Sequence, residues 1–153
     1  MYLNYKFAFC PPGGKSFIHV NDAAIAICNA IEEGKNGTCY LLAGENMTYH
    51  EFFQKIRKVT GVSKPIIKLN RYFISQLGIA GSIFNKIGCN IELDQANAGI
   101  LNIKNYYSSA RAVEELKMSQ TPIENAINDA YRWFRENNYL KCHFTNELAK
   151  TQY

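Results

Sequence analysis

Cysteine patterns of the kind that bind metals or form disulfides are missing from this sequence. Its 153 residues include five cysteines, an odd number, and no two of them form a C-x-x-C pair. Zinc sites and disulfide frameworks both need cysteines at short and repeated spacings. We therefore expect no metal site and no disulfide, and the thiols favour a reducing, cytoplasmic compartment.

Charge is sparse as well. Charged residues make up 20% of the chain and the formal net charge is +4, with lysines and arginines spread along it. The closest basic group, Lys55, Arg57 and Lys58, falls on one predicted helix. Since no nucleic-acid-binding motif accompanies this group, we interpret it as a solvated helix face and expect no nucleic-acid partner.

No apolar run is long enough to span a membrane. The N-terminal residues are interrupted by Asn4, Lys6 and two prolines, unlike a signal peptide. The most apolar later stretch, residues 72–88, contains Gln76 and Lys86, and it falls short of the ~20 apolar residues that a spanning helix needs. We expect no membrane partner and interpret this stretch as a buried or interface-facing helix.

Apolar residues, by contrast, are plentiful at 47%, and they predict a folded α/β protein. A strand is predicted at 16–20, followed by a helix that Asn21 or Asp22 caps and that ends at Gly34. This helix has apolar residues on nearly every side, which is typical of a helix buried between two layers.

A second strand–helix unit follows. The apolar run Cys39–Ala43 favours a strand covered on both faces, as in parallel sheets. Thr48 and Glu51 form a capping box that opens the next helix, which is predicted to stop at Gly61. Alternating strands and helices of this kind are typical of right-handed α/β crossovers.

The second half of the chain is predicted to be mostly helical. Residues 72–87 indicate one or two helices, with Gly78 and Gly81 at a close helix contact. A last helix starts at Thr121 as cap, with Glu124 closing a second capping box. The tail from Lys141 is predicted to be loose.

Glycine-rich and tyrosine–lysine motifs give no catalytic or cofactor site. The glycines at 13–14 lack the spacing of a phosphate loop and precede a strand, and Gly78 begins a dinucleotide fingerprint that ends in Phe84 instead of glycine. Tyr2 and Lys6 match Y-x-x-x-K, which we interpret as chance at the terminus.

Lys15 and His19 are the candidate substrate-binding residues. Lys15 follows the glycine turn, where the backbone can approach a ligand, and its charge suits a phosphate or a carboxylate. His19 lies in the predicted strand, where alternation turns it away from Ile18 towards a cleft. The alternatives, a solvated lysine and a hydrogen-bonded structural histidine, stay open.

Four segments in order carry a resemblance to a known family. They are GGKSFIHVNDAA at 13–24, YLLAGEN at 40–46, SARAVEEL at 109–116 and TPIENAINDAYRWF at 121–134. With them the chain resembles the C-terminal part of extended short-chain dehydrogenase/reductases, in the NAD-dependent epimerase/dehydratase and dihydroflavonol-reductase-like group. Arg111 replaces the family's usual lysine, and Lys117 stands where the family has glycine.

The resemblance implies a Rossmann-type α/β fold with a mostly helical substrate lobe. It implies one partial domain over 1–153, with Rossmann-associated strand–helix elements at 13–64, lobe helices at 65–140 and the loose tail at 141–153. In this family NAD or NADP sits on a glycine fingerprint, and a tyrosine–lysine pair does the chemistry. Neither can be assigned to residues of this sequence, so we expect no catalytic residue, bound cofactor or metal here.

Two functions therefore remain open. The first is the substrate-side portion of an NAD(P)-dependent oxidoreductase or epimerase for a small carbonyl, sugar or sugar-nucleotide-like substrate, not catalytic alone. The second is a non-catalytic binding module derived from that fold. In either case the apolar strand at 39–43 lacks a neighbour, and bare strand edges pair with other chains. We therefore expect self-association through Tyr40, Leu41 and Leu42.

Overall fold

The computed structural model describes residues 6–88 and 94–140. Its elements in chain order are β1 (Ala8–Cys10), β2 (Gly14–Phe17), α1 (Val20–Glu33), β3 (Glu45–Thr48), α2 (Tyr49–Thr60), β4 (Ile66–Lys68), α3 (Arg71–Lys86), α4 (Gln95–Asn102), β5 (Lys104–Asn105), α5 (Ala110–Glu115) and α6 (Ile123–Glu136). The predictions for Tyr2 and for the tail from Lys141 lie outside the described residues. The mixed α/β class predicted from the sequence is confirmed.

The described strands form two small sheets. β1 pairs with β4 in parallel, and β2 lies between β3 and β5, antiparallel to the first and parallel to the second. The predicted strand at 16–20 is thus displaced, because Gly14 already pairs with Thr48 and the chain enters α1 at Val20.

Gly13 and Gly14 lie where chain segments approach each other closely. Their backbone N–H groups donate to the carbonyls of Leu101 and Ile103, at 3.0 and 3.1 Å. A Cβ on Gly13 would lie well inside van der Waals contact of those two carbonyl oxygens. The glycines are therefore required by the approach of β2 to the chain between α4 and β5.

The predicted strand Cys39–Ala43 is wrong, since these residues belong to no strand. A strand needs a hydrogen-bonded neighbour, and none of the described strands pairs with this segment. Its side chains still alternate: Tyr40 and Leu42 pack against a core cluster, whereas Leu41 is 50% exposed. We call residues 39–43 the unpaired segment.

Helix α1 is capped by a different residue from the one predicted. His19 is the N-cap, and its Nδ1 accepts a hydrogen bond from the Asn21 N–H at 3.1 Å. Asp22 is instead buried and reaches across the fold, where it accepts from the Thr121 N–H at 2.7 Å and from the Thr121 hydroxyl at 2.8 Å. One carboxylate thus ties the start of α1 to the start of α6.

Only one side of α1 is covered by the described residues, although its sequence is typical of a helix that lies between two layers. Ala26 is fully buried in a cluster with Ala112, Leu116 and Met118. On the other side Ile27 is 57% and Ile31 83% exposed. The described residues therefore leave one apolar face of α1 and the side chain of Leu41 exposed.

Helix α2 forms as predicted from its local sequence. The Thr48 hydroxyl accepts from the Glu51 N–H, and the Glu51 carboxylate accepts from the Thr48 N–H at 2.7 Å. The Thr48 N–H, and the Thr48 hydroxyl at 2.8 Å, both donate to the Glu51 carboxylate and hold its pKa below the usual range. The helix ends at Gly61, whose φ of 69° is the left-handed conformation that glycine favours.

A second core cluster joins α2 to α6. Met47, Ile123 and Ile127 are buried in it, and the rings of Phe17 and Phe52 stack beside it at 4.1 Å. The predicted capping box of α6 is wrong, because Pro122 is the N-cap and Thr121 is bonded to Asp22. Glu124 instead forms an ion pair with Lys55 of α2, which holds its pKa below the usual range.

Helix α3 is continuous through both of its buried glycines. A Cβ on Gly78 would overlap Ala98 and the backbone of α4, so the predicted close helix contact is confirmed there. Lys117, where the resembling family has glycine, adopts φ 52° directly after α5. The backbone thus keeps a glycine-like conformation at that position.

Candidate functional site

The cleft that Lys15 lines is the candidate functional site, and we call it the Lys15 cleft. Its volume is about 570 Å³, within the range of small-molecule sites. Its walls come from β2, the unpaired segment and the chain around α4 and β5, through Lys15, Ser16, Leu41, Leu42, Ala43, Ile100, Ile103, Asn105 and Tyr107.

A hydrogen-bond network organises the polar side of this cleft. The Ser16 hydroxyl donates to the Asn46 amide oxygen, and the Asn46 amide nitrogen donates to the Tyr107 carbonyl at 3.0 Å. The Tyr107 N–H donates in turn to the Ser16 hydroxyl at 3.1 Å. These bonds hold the chain after β5 against β2 and β3, so the wall that faces Lys15 is fixed.

Lys15 stands on the central strand of its sheet, opposite Met47 on one side and Asn105 on the other. It is exposed, and no carboxylate is among the described residues that line the cleft. The other walls are mostly aliphatic. A cation beside an apolar wall is suited to a small molecule with one anionic group and a carbon skeleton.

His19 lies elsewhere, so the structure does not bring the two predicted residues together. It is buried at the end of β2, where Nδ1 accepts from the Asn21 N–H, and Nε2 faces the Asp129 carboxylate at 3.3 Å. Since Nδ1 is an acceptor, Nε2 carries the proton and donates to Asp129. The prediction that His19 lies in the strand is wrong, and its contact with substrate stays a prediction.

The unpaired segment, which forms another wall of the cleft, is anchored at its start. The Tyr40 hydroxyl donates to the Glu115 carboxylate at 2.6 Å, and Lys35 forms an ion pair with Glu115 at 2.9 Å. Hydrogen bonds from Tyr40 and Lys35 hold the pKa of Glu115 below its usual range. Leu41 and Leu42 are therefore held at the cleft without strand pairing.

Asn105 and Tyr107 are among the lining residues that sequence reasoning missed. They lie in or just after β5, a strand of two residues whose partner is 90 positions away, Lys15 with Asn105. No local periodicity marks so short a strand. The resemblance between the family and the stretch from Ser109 gave the only nearby signal.

The glycine turn at 13–14 does not fit the pyrophosphate of a nicotinamide cofactor. The space above Gly13 is filled by the carbonyls of Leu101 and Ile103, and above Gly14 by Met47 and Tyr106. A pyrophosphate cradle needs open space at its glycines and a helix N-terminus behind them, whereas β2 follows this turn. Among the described residues, no group of histidine, cysteine or acidic side chains could hold a metal ion either.

The chain is similar to curated proteins over most of its own length. It is 24% identical over 133 residues, 84% of this chain, to a Synechocystis protein assigned as a dihydroflavonol 4-reductase. It is 24% identical over 128 residues, 82% of this chain, to sterol demethylase protein B of Methylococcus capsulatus. The chain spans 39% of the length of each relative. No protein-family profile matches it.

Solved structures give the same fold. The crystal structure of gox2253 aligns with a TM-score of 0.70 and 25% identity, over 90% of this chain and 41% of that one. UDP-glucuronic acid 4-epimerase from Bacillus cereus, in complex with NAD, aligns with a TM-score of 0.54 and 13% identity, over 85% of this chain and 34% of that one. RMD from Pseudomonas aeruginosa, complexed with NADPH, aligns with a TM-score of 0.55 and 12% identity, over 86% of this chain and 36% of that one.

These likenesses define the class. The fold is that of the C-terminal portion of a larger Rossmann-like chain of the short-chain dehydrogenase/reductase type. Within that class, the resemblance to the dihydroflavonol-reductase-like and epimerase group is confirmed. None of the described helices is long and apolar enough to cross a membrane.

Proposed function

We propose that this chain is the substrate-side portion of an NAD(P)-dependent oxidoreductase or epimerase. Its substrate is a small carbonyl compound, a sugar or a sugar-nucleotide-like molecule with an anionic group. The observation that carries the proposal is the Lys15 cleft, which joins one cation to an aliphatic wall within a fold of this class. Chain residues 13–64 are then the Rossmann-associated part and residues 65–140 the substrate lobe.

Nicotinamide chemistry is assigned in this proposal to the portion of such an enzyme that this chain does not match. Two structural relatives carry NAD or NADPH, while the glycines at 13–14 face backbone instead of open space. The bound cofactor would supply or accept the hydride. This chain's part is to bind the anionic end of the substrate at Lys15 and to exclude water with its aliphatic wall.

Three free cysteines, at positions 10, 28 and 39, support a reducing, cytoplasmic location.

Lys15→Met is expected to raise the KM for an anionic substrate about tenfold, with a smaller change in kcat. The loss follows because methionine keeps the aliphatic stem but removes the charge. Steady-state kinetics would be measured on this chain joined to the portion of the gox2253 chain that it does not match. Lys15→Arg should retain most binding, and Lys104→Met, beside the cleft but outside its lining, should leave KM unchanged. An unchanged KM in Lys15→Met would leave Lys15 as a surface lysine.

We propose further that the chain alone self-associates through the unpaired segment and the outer face of α1. Tyr40 and Leu42 pack inward, so Leu41, Ile27 and Ile31 are the residues that present apolar surface. Exposed apolar surface of this kind marks contact sites. The same surface favours the alternative function, a binding module without catalysis.

Sedimentation velocity tests this contact. The wild-type chain is expected to form dimers or larger species as its concentration rises, and the double change Ile27→Lys with Leu41→Lys is expected to leave monomers. The double change Ile79→Lys with Ile83→Lys, which places the same added charge on exposed positions of α3, is the matched control and should still associate. A wild-type chain that stays monomeric throughout would refute the proposal.

A further inference from the structure

Helix α3 carries apolar side chains on the side that points away from the fold. Its buried residues Ile74, Gly78 and Gly81 stand at i, i+4 and i+7, and a Cβ on Gly78 would overlap residues of α4, so this side packs against α4. On the opposite side Tyr72 is 79% and Ile87 73% exposed. We call this opposite side the α3 outer face, and its residues are Tyr72, Phe73, Ile79, Ile83, Phe84 and Ile87.

The polar residues of α3 lie between the packed side and the outer face. Arg71, Ser75, Ser82 and Lys86 stand at i, i+4, i+11 and i+15, which places them along one line of the helix. The outer face itself has Gln76 as its polar residue. Exposed apolar residues are common singly, but a continuous patch of them marks a contact surface.

Charge around α3 is of one sign. From residue 52 to residue 91 the sequence has no aspartate or glutamate, although the whole chain has 13 of them. Lys68 precedes α3, Arg71 and Lys86 are its first and last residues, and all three are exposed. None of the three forms an ion pair with a described residue. The charge therefore favours an anionic partner on this part of the surface.

We propose that the α3 outer face binds the surface of a membrane that contains anionic lipids. Its apolar side chains enter the headgroup region, its aromatic rings suit the membrane–water interface, and the three cations contact lipid phosphates. The apolar run around α3 is too short to span a membrane, but a helix that lies on the surface does not need that length. This proposal replaces the expectation of no membrane partner, and it does not rest on the function proposed for the Lys15 cleft.

A second copy of this chain fits the α3 outer face less well than a lipid surface does. If two copies met through this face, Lys68, Arg71 and Lys86 of each copy would approach those of the other, and like charges at a contact oppose association. Anionic lipids attract the same cations. The charge pattern thus favours the membrane as the occupant.

Vesicle flotation of the full chain tests the proposal, because bound chain rises with the vesicles whereas aggregated chain does not. The chain is used at a concentration where it is monomeric without vesicles. We expect it to float with vesicles of phosphatidylcholine and phosphatidylglycerol in equal parts. It should float much less with phosphatidylcholine alone, and less at high salt, because the salt screens the attraction between the cations and the lipids.

Apolar changes in two helices show which face is bound. The double change Ile83→Ser with Phe84→Ser should weaken binding about tenfold, because it reduces the apolar contact without changing the net charge. The matched control is Ile27→Ser with Ile31→Ser, which removes two exposed apolar side chains from α1. This control should float as the wild type does.

Charge changes are matched in the same way. Lys68→Gln with Lys86→Gln should weaken binding to the anionic vesicles several-fold. Arg111→Gln with Arg135→Gln removes two exposed cations from α5 and α6, and it should weaken binding much less. Equal weakening by the two pairs would mean that net charge alone drives binding, which would overturn the proposal.

Other results would also overturn it. They are the absence of flotation with anionic vesicles and equal weakening by the apolar changes in α3 and α1. Dimers without vesicles that the α3 change abolishes would assign the outer face to a second copy. Loss of flotation when the chain is joined to the unmatched portion of the gox2253 chain would assign the outer face to a contact inside the larger enzyme.

Discussion

Asp22→Ala should destabilise the folded chain by about 3 kcal/mol. The Asp22 carboxylate is buried and accepts both the N–H and the hydroxyl of Thr121, which lies 99 positions further along the chain. Removing it leaves two donors at the start of α6 without their charged acceptor. Urea unfolding followed by circular dichroism would show the loss as a lower midpoint at an unchanged slope.

Three further variants make this measurement specific. Glu32→Ala removes an exposed carboxylate from the same helix and should change stability by less than about 0.5 kcal/mol. Thr121→Val removes the hydroxyl but keeps the N–H bond, so about 1 kcal/mol is expected. Asp22→Asn keeps a neutral acceptor, so its unfolding midpoint should lie between those of the wild type and of Asp22→Ala. An Asp22→Ala midpoint equal to that of Glu32→Ala would show that the link between α1 and α6 contributes nothing.

Gly13→Ala is expected to cost about 2–3 kcal/mol and to distort the Lys15 cleft. The added methyl group would overlap the carbonyl oxygens of Leu101 and Ile103, which are backbone atoms and cannot rotate away. β2 must then separate from the chain around β5, which removes the hydrogen bond from the Gly13 N–H to Leu101. Lys15 and Asn105 would no longer face each other in register.

Gly99→Ala is the matched control, because a Cβ there meets open space and the residue lies inside α4. Alanine favours the helix, so this variant should gain about 0.5–1 kcal/mol. Thermal unfolding should give a Tm below that of the wild type for Gly13→Ala and a Tm above it for Gly99→Ala. Equal unfolding midpoints for Gly13→Ala and the wild type would mean that residues 101–103 move to accommodate the methyl group. That result would contradict a fixed close contact between Gly13 and these residues.

The features that the sequence predicted correctly are the local ones. The capping box of Thr48 and Glu51 spans three residues, and the left-handed Gly61 ends the same helix. Both depend on the side chains and backbone of one turn, so they could be predicted without knowing any distant partner. The contact of Gly78 with α4 was predictable for a related reason, since only small residues allow helices to approach so closely.

The predictions that failed depended on distant partners. Thr121 has the sequence of a helix cap, yet its hydroxyl donates to Asp22. His19 caps α1 and faces Asp129 of α6, 110 positions away. The unpaired segment has the composition of a buried strand but no hydrogen-bonded neighbour among the described strands. Composition indicates which secondary-structure element a segment can form, whereas hydrogen-bonded and packed neighbours decide whether that element forms.

The same distinction between local and distant features applies to the residues that line the Lys15 cleft. Lys15, singled out by its charge and its place after a glycine turn, lines the cleft, and its contact with substrate stays a prediction. Asn105 and Tyr107 were not predictable, because a two-residue strand leaves no pattern in the sequence. Their positions depend on the Ser16 and Asn46 network, which joins segments up to 91 positions apart.

The central proposal is that this chain is the substrate-side portion of a larger enzyme, and from it we infer that the unpaired segment pairs with a strand of the remaining portion. Amide hydrogen exchange at residues 39–43 tests this most directly, in the chain alone at low concentration and in a chimera with the unmatched portion of gox2253. We expect protection in the chimera to rise by about two orders of magnitude, because the segment gains a neighbouring strand. Equal exchange in both, or full protection in a monomeric chain alone, would contradict the account.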